Sequence, residues 1–241
     1  DQDAIAIQIP GQYRILGPTN KQGEYLTKKA NTLYVISKAK NNFSELLNIP
    51  NADGSLMHAA VSRDGKILAY TINTEPEKSR DYKAELWFYS LENKLKHKIF
   101  ESALGLFTGL SVLGWSNNGE QIILSEIGGD AGAIWGQLFT INTKPPYESV
   151  VLSNNPELLS GQLSRNGDLL LYKECDKPSG VHQNEERVEC DEGEQIKTYN
   201  ILTKETLSLY RNLTHSDNVY KGKLRVVFDV LWAEDDIIFS I

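Results

Sequence analysis

Methionine and cysteine are nearly absent from this chain, and no stretch of it stays apolar for long: 241 residues include 1 Met, 2 Cys and 8 Pro. No apolar run approaches the roughly 20 residues that a membrane helix needs, and the first residues lack the basic-then-apolar order of a signal peptide. Two cysteines allow one disulfide at most, and a metal site built on them would have to recruit His182. Positive charge is also scarce: 25 Lys and Arg stand against 32 Asp and Glu, for a net charge of −7. Phosphate backbones need a concentrated basic face, so nucleic acid is not an expected partner. The densest basic stretch, Lys94-Leu95-Lys96-His97-Lys98, alternates charged with apolar residues and reads as a half-exposed outer strand. No Gly-x-Ser-x-Gly elbow occurs, which removes that serine-hydrolase arrangement, and His58, His97, His182 and His215 show no metal-ligand spacing.

What is present is repetition. Ser62-Arg63-Asp64-Gly65-Lys66 runs into an apolar strand ending at Tyr70. Ser116-Asn117-Asn118-Gly119 leads into Ile122-Ile123-Leu124, and Ser164-Arg165-Asn166-Gly167 into Leu169-Leu170-Leu171-Tyr172. A worn copy sits at Ala233-Glu234-Asp235-Asp236 before Ile237-Ile238-Phe239. Asp or Asn can hydrogen-bond its own backbone here and Gly accepts positive φ, so each copy is a turn between two strands. Each unit continues with a long polar connection, an aromatic strand such as Leu86-Trp87-Phe88-Tyr89, a polar turn and a fourth strand. The turn glycines 65, 119 and 167 are spaced at the period of a four-stranded propeller blade, about 40–50 residues.

The expected fold is therefore all-β, a single β-propeller over 1–241, with clear repeats at 57–103, 110–152 and 160–212. Residues 224–241 supply two strands of a further blade and 32–48 look like its other two. We therefore expect five blades, with four or six as alternatives, and a ring closed by a blade shared between the termini. Trp87, Trp115, Trp135 and Trp232 fall mostly in strands and are expected to pack between blades.

The Ser-x-Asp-Gly-Lys turn followed by an apolar strand and later an aromatic one resembles the blade signature of TolB-like, WD-type propellers, where the second position is usually Pro. Here Arg63, Asn117 and Arg165 take that place. The resemblance covers three blades and implies the fold more than any activity.

Function must lie where the copies differ. The enlarged segments 74–83, 127–136 and 174–195 all occupy the slot between second and third strands, which places them on one face of the disc. The expected function is a non-enzymatic scaffold binding a protein or other ligand there, through candidates Asp130, Trp135, Asp176, His182, Glu189 and Asp191. The alternative is a propeller enzyme or metal-binding protein, of hydrolase or lyase type, with Asp130 and Glu126 converging at the channel mouth. Cys175 and Cys190 flank the largest of these loops, and the ends of a hairpin lie close enough for a disulfide. That bond implies an oxidising, periplasmic or secreted setting, whereas two free thiols would not. The acidic loop around Glu189 and Asp191 makes Ca²⁺ the one cofactor worth considering, but it lacks Asp-x-Asp-x-Asp spacing and reads as a solvated loop, so no cofactor is expected. His58, on an inner first strand, is expected to be a hydrogen-bonded structural histidine. A chain that opens at Asp1 and ends inside an apolar stretch at Ile241 is expected to be a mature or trimmed form.

Overall fold

The computed structural model describes residues 12–37, 42–51, 54–74, 83–102, 109–130, 133–153, 161–164, 166–175, 194–212, 229–233 and 236–240. Of residues 127–130, 133–135, 175, 194, 210–212 and 229 onward it describes the backbone alone.

Every element among these residues is a strand, and the strands form consecutive antiparallel sheets. Blade 1 holds β1 (Arg14–Pro18), β2 (Glu24–Lys29), β3 (Thr32–Ser37) and β4 (Asn42–Asn48). Blade 2 holds β5 (Ser55–Val61), β6 (Ile67–Thr74), β7 (Lys83–Ser90) and β8 (Lys96–Ser102). Blade 3 holds β9 (Gly109–Trp115), β10 (Gln121–Asp130), β11 (Ala133–Asn142) and β12 (Ser149–Ser153). Blade 4 holds β13 (Gln162–Leu163), β14 (Leu169–Cys175), β15 (Glu194–Asn200) and β16 (Thr206–Asn212). A fifth unit comprises β17 (Asp229–Ala233) paired with β18 (Asp236–Ser240). Within each complete blade the strands are ordered as in the sequence, and the first strand of one blade lies against its predecessor, as β5 does for β9 and β1 for β5. This is the architecture of a propeller of four-stranded blades. No helix among the described residues is long and apolar enough to cross a membrane.

The shared blade is corrected. Residues 32–48 do not await a partner from the C-terminal end, because β3 and β4 pair with β1 and β2 in a complete sheet of their own. The turn before β2 accounts for the difference. It has no Ser-x-Asx-Gly sequence and closes instead through Thr19 N–H on the Glu24 carbonyl (3.0 Å) and Glu24 N–H on that of Lys21 (3.1 Å), so the repeat pattern does not mark it.

Packing between blades explains why the second strands read as near-continuous apolar runs: both of their faces are covered. Along β10, Ile122 and Leu124 join Leu86, Phe88, Leu110 and Phe139 between blades 2 and 3. The intervening Ile123 joins Leu138, Leu170 and Tyr172 between blades 3 and 4. Leu26, Leu33, Leu68 and Tyr70 fill the gap between blades 1 and 2. Trp115 acts as expected: its ring lies 5.5 Å from that of Phe88, and its indole N–H donates across the junction to the Ala60 carbonyl (3.3 Å). Lys96, His97 and Lys98 lie exposed on outer strand β8, again as expected, while Lys94 and Leu95 belong to the turn before it.

Candidate functional site

The two faces of the disc are built differently. On one, the turns between first and second strands of blades 2, 3 and 4 repeat a single hydrogen-bond pattern. The Ser62 hydroxyl donates to Asp64 Oδ1 (2.7 Å) and accepts from Ile67 N–H (2.9 Å), while Lys66 N–H donates to the same Asp64 oxygen (3.0 Å). These contacts hold the Asp64 carboxyl below its ordinary range, the Ser62 hydroxyl contributing most. Ser116 with Asn118 and Ser164 with Asn166 reproduce the arrangement in blades 3 and 4.

The turns also touch one another. Asn117 N–H donates to the Gly167 carbonyl (3.2 Å), and its side-chain amide donates to Asp168 Oδ2 (3.3 Å). Proline at 117 could make neither bond, which accounts for the departure from the Ser-Pro-Asp-Gly form of the resembled signature. This face is thus occupied by its own contacts.

On the opposite face emerge the second-to-third connections. Blade 1 turns in two residues, Ala30 and Asn31, between the paired Lys29 and Thr32. Blades 2 and 4 use 75–82 and 176–193 instead. Blade 3 does something else, and the expectation of a loop over 127–136 is corrected. β10 and β11 stay paired out to Asp130 opposite Ala133, making a ribbon of two ten-residue strands. Asp130 therefore sits at the tip, and Trp135 opposite Gly128 along its length. Cys175 ends β14 opposite Glu194. Cys190, Asp176, His182, Glu189 and Asp191 lie outside the described residues, and so does their proposed disulfide and loop chemistry.

Polar side chains buried between blades gather toward this same end. Thr71 donates to the Leu110 carbonyl (2.7 Å) and accepts from His58 N–H (3.2 Å), tying blades 2 and 3 together. Glu174 joins blades 3 and 4 by accepting from Ser153 Oγ (2.5 Å) and pairing with Lys197. Burial, and then the charge of Glu174, push the nearby Tyr172 phenol up to about 12.

Glu126 is the most unusual of these groups. It shares a strand face with Ile122 and Leu124, is 1% exposed, and so sits between blades 2 and 3 rather than open at the channel mouth. Gln137, its cross-strand partner, donates to Oε2, while Oε1 has no hydrogen-bond partner among the described residues. Burial raises its carboxyl above the ordinary value near 4.5, against a smaller opposing effect of Gln137. A carboxyl raised in the folded state is charged at a penalty that vanishes below the unfolded value and is complete above the folded one. Glu126→Gln should therefore raise Tm at pH 8 by a few degrees, about 1 kcal/mol for a domain of this size, with the gain shrinking as pH falls toward 4.5. Thermal melts of both proteins across that range check this. A gain independent of pH would mean that the carboxylate is charge-compensated.

The inner end between blades 1 and 2 is cationic. Arg14 and Lys28 are direct cross-strand partners on β1 and β2. The Lys28 ammonium reaches the next blade and donates to the carbonyls of Leu56 (2.8 Å) and Met57 (3.1 Å). His58 follows immediately, half-buried, and the expectation of a structural hydrogen bond to its ring is not met among the described residues. Burial, then the charges of Arg14 and Lys28, lower its affinity for a proton, and Lys28 is lowered by burial and by Arg14. Scattered positions 14, 28 and 58 give no sequence signal of this meeting.

A separate groove of about 300 Å³ opens between blades 1 and 2, lined by Tyr70, Ile72, Trp87, Glu85 and Lys96. Its carboxylate is already engaged, Glu85 accepting from the Trp87 indole (2.8 Å) and pairing with Lys98 (3.3 Å). Among the described residues, no three His, Cys, Asp or Glu side chains come together as a metal site.

No family model and no curated protein matches the chain. Solved structures do resemble it. An oligogalacturonate lyase in complex with manganese matches over 83% of this chain and 53% of its own, at 12% identity and TM-score 0.54. A prolyl endopeptidase matches over 84% and 30%, at 17% identity and TM-score 0.50. A TolB protein from Agrobacterium tumefaciens matches over 83% and 81%, at 11% identity and TM-score 0.38. The chain spans about half of the first protein and under a third of the second. At these identities the likeness is one of fold, and the chain has the architecture of a β-propeller built from four-stranded blades.

Proposed function

We propose that the chain is a non-enzymatic binding propeller that presents its second-to-third connections to a protein partner, in a periplasmic or secreted setting. The observation that carries this is the contrast between faces. The first-to-second turns of blades 2, 3 and 4 satisfy themselves with one repeated pattern, and those of blades 3 and 4 interlock, whereas the opposite connections differ in every blade, from a two-residue turn to a ten-residue ribbon and the segment 176–193. Positions that repeat serve the scaffold, and variable loops on a rigid scaffold are where recognition resides. Asp130 and Trp135 belong to the β10–β11 ribbon, Asp176, His182, Glu189 and Asp191 belong by sequence to the 176–193 connection, and a Cys175–Cys190 disulfide would limit the freedom of that connection before binding.

The test is partner capture from extract of the source cells, comparing the intact chain, a variant with 176–189 replaced by a short Gly-Ser linker, and Lys66→Glu on the opposite face. We expect a specific protein retained by the intact chain and by Lys66→Glu and lost from the linker variant, with melting curves showing all three folded. Retention of every partner by a folded linker variant would defeat the assignment.

A further inference from the structure

We propose that Arg14, Lys28 and His58 form an oxyanion-binding site at the inner end of the junction between blades 1 and 2, taking a carboxylate or phosphate group of a small ligand. The site is independent of which protein, if any, the loops hold.

A distortion of the backbone brings the three together. Successive carbonyls of a regular strand point to opposite sides, so one ammonium cannot ordinarily bond two in a row. The pairing of β5 with β6 is regular to Leu56 and resumes only at Ala59. Within this bulge Lys28 Nζ reaches the carbonyls of both Leu56 and Met57, and His58 is the next residue. Bulges re-aim side chains in this way. On the other side, Arg14 is set against Lys28 by register, and residues directly opposite in an antiparallel pair share a face.

The donor inventory then points to a ligand. An ammonium has three donors, and the two carbonyls use two. A guanidinium has five, in a fork that fits carboxylate or phosphate. Among the described residues none of the Arg14 donors meets an acceptor, and Arg14 is exposed. His58 adds a ring whose N–H is also uncommitted there. Among the described residues no carboxylate contributes to the electrostatics of Lys28 or His58; burial and then Arg14 lower the proton affinity of Lys28, and burial, Arg14 and Lys28 that of His58. Three basic groups with no counter-ion among the described residues, in a chain of net charge −7, are costly to hold together, and an oxyanion at their centre relieves the repulsion while using the spare donors.

The experiment titrates the purified chain with potassium phosphate and, separately, with malonate, each against potassium chloride at matched ionic strength. Calorimetry and the ring signals of His58 in NMR give the readouts. We expect saturable binding of at least one anion, with His58 signals shifting over the same concentration range, and phosphate against malonate tells which group the site prefers. Arg14→Ala, at an exposed position, should keep its melting temperature, weaken binding by about tenfold or more and let His58 in the free protein titrate closer to its ordinary value. Lys28→Met should also weaken binding. The proposal fails if neither anion saturates beyond chloride, or if Arg14→Ala and Lys28→Met bind as the intact chain does.

Discussion

Gly167→Ala should destabilise the chain by about 3 kcal/mol or more, while Gly119→Ala, at the equivalent turn one blade earlier, should cost about 1 kcal/mol. The two glycines are the same residue of the same repeat, with φ of +73° and +70°. In both, a side chain must be held in the left-handed region, and that alone gives the smaller figure. The difference lies in the neighbours. A Cβ on Gly119 would meet nothing within 4 Å, whereas one on Gly167 would stand 2.5 Å from the Trp115 carbonyl oxygen and 2.9 Å from Asn117 N. Both of those are backbone atoms, so relief requires the turns of blades 3 and 4 to separate, which also breaks the Asn117 N–H bond to the Gly167 carbonyl. Urea denaturation of both variants measures the contrast. Equal losses would show that the turns do not touch.

Phe139→Ala should cost about 3–5 kcal/mol, the range for emptying a large buried aromatic site. Phe139 is 1% exposed on β11, among Leu86, Leu110 and Leu124 between blades 2 and 3, with its ring 5.2 Å from that of Phe100. Residues from two sheets line the space it would vacate, so closing it requires one blade to move against the next, and each is held by its own ladder. A double-mutant cycle with Phe100→Ala should return a coupling of about 0.5–1.5 kcal/mol, as for other aromatic pairs in contact. Val151→Ala on outer strand β12 is the control: at 49% exposure it should stay within about 0.5 kcal/mol. A Phe139→Ala cost as small as the control's would mean that these two blades do not share a core.

The repeat was legible because its turn chemistry is local. Ser, Asx and Gly two or three residues apart make their bonds within the turn, so their spacing alone revealed three blades and, in worn form, the start of a fifth. Blade 1 carries no such mark, because its first turn uses backbone bonds around Thr19, Lys21 and Glu24, and its inner strand is short and largely solvent-facing. The ribbon at Asp130 is not legible in the sequence, because Gly128 and Gly129 are turn-forming residues that cross-strand pairing here holds extended.

The site was harder to see. Glu126 carries a signal, a charge in the mostly apolar strand from Ile122 to Ile127, but its partner Gln137 is set by register. Arg14, Lys28 and His58 meet through a cross-strand pairing and a bulge in the next blade. Neither depends on sequence spacing, and a reading of the histidines for metal geometry passes over them. The departure at Asn117 shows the reverse case: its meaning became plain only once the carbonyl of Gly167, fifty residues on, was found opposite its N–H.

The central claim is that one face of the disc recognises and the other is scaffold. Hydrogen–deuterium exchange on the chain alone and bound to the partner captured through 176–189 tests it most directly. New protection is expected along the β10–β11 ribbon, at the ends of β6 and β14 and near Ala30, with the Ser62–Lys66, Ser116–Glu120 and Ser164–Asp168 turns unchanged. Protection confined to those Ser-x-Asx-Gly turns, with the ribbon and the 176–193 connection exchanging as in the free chain, would contradict it.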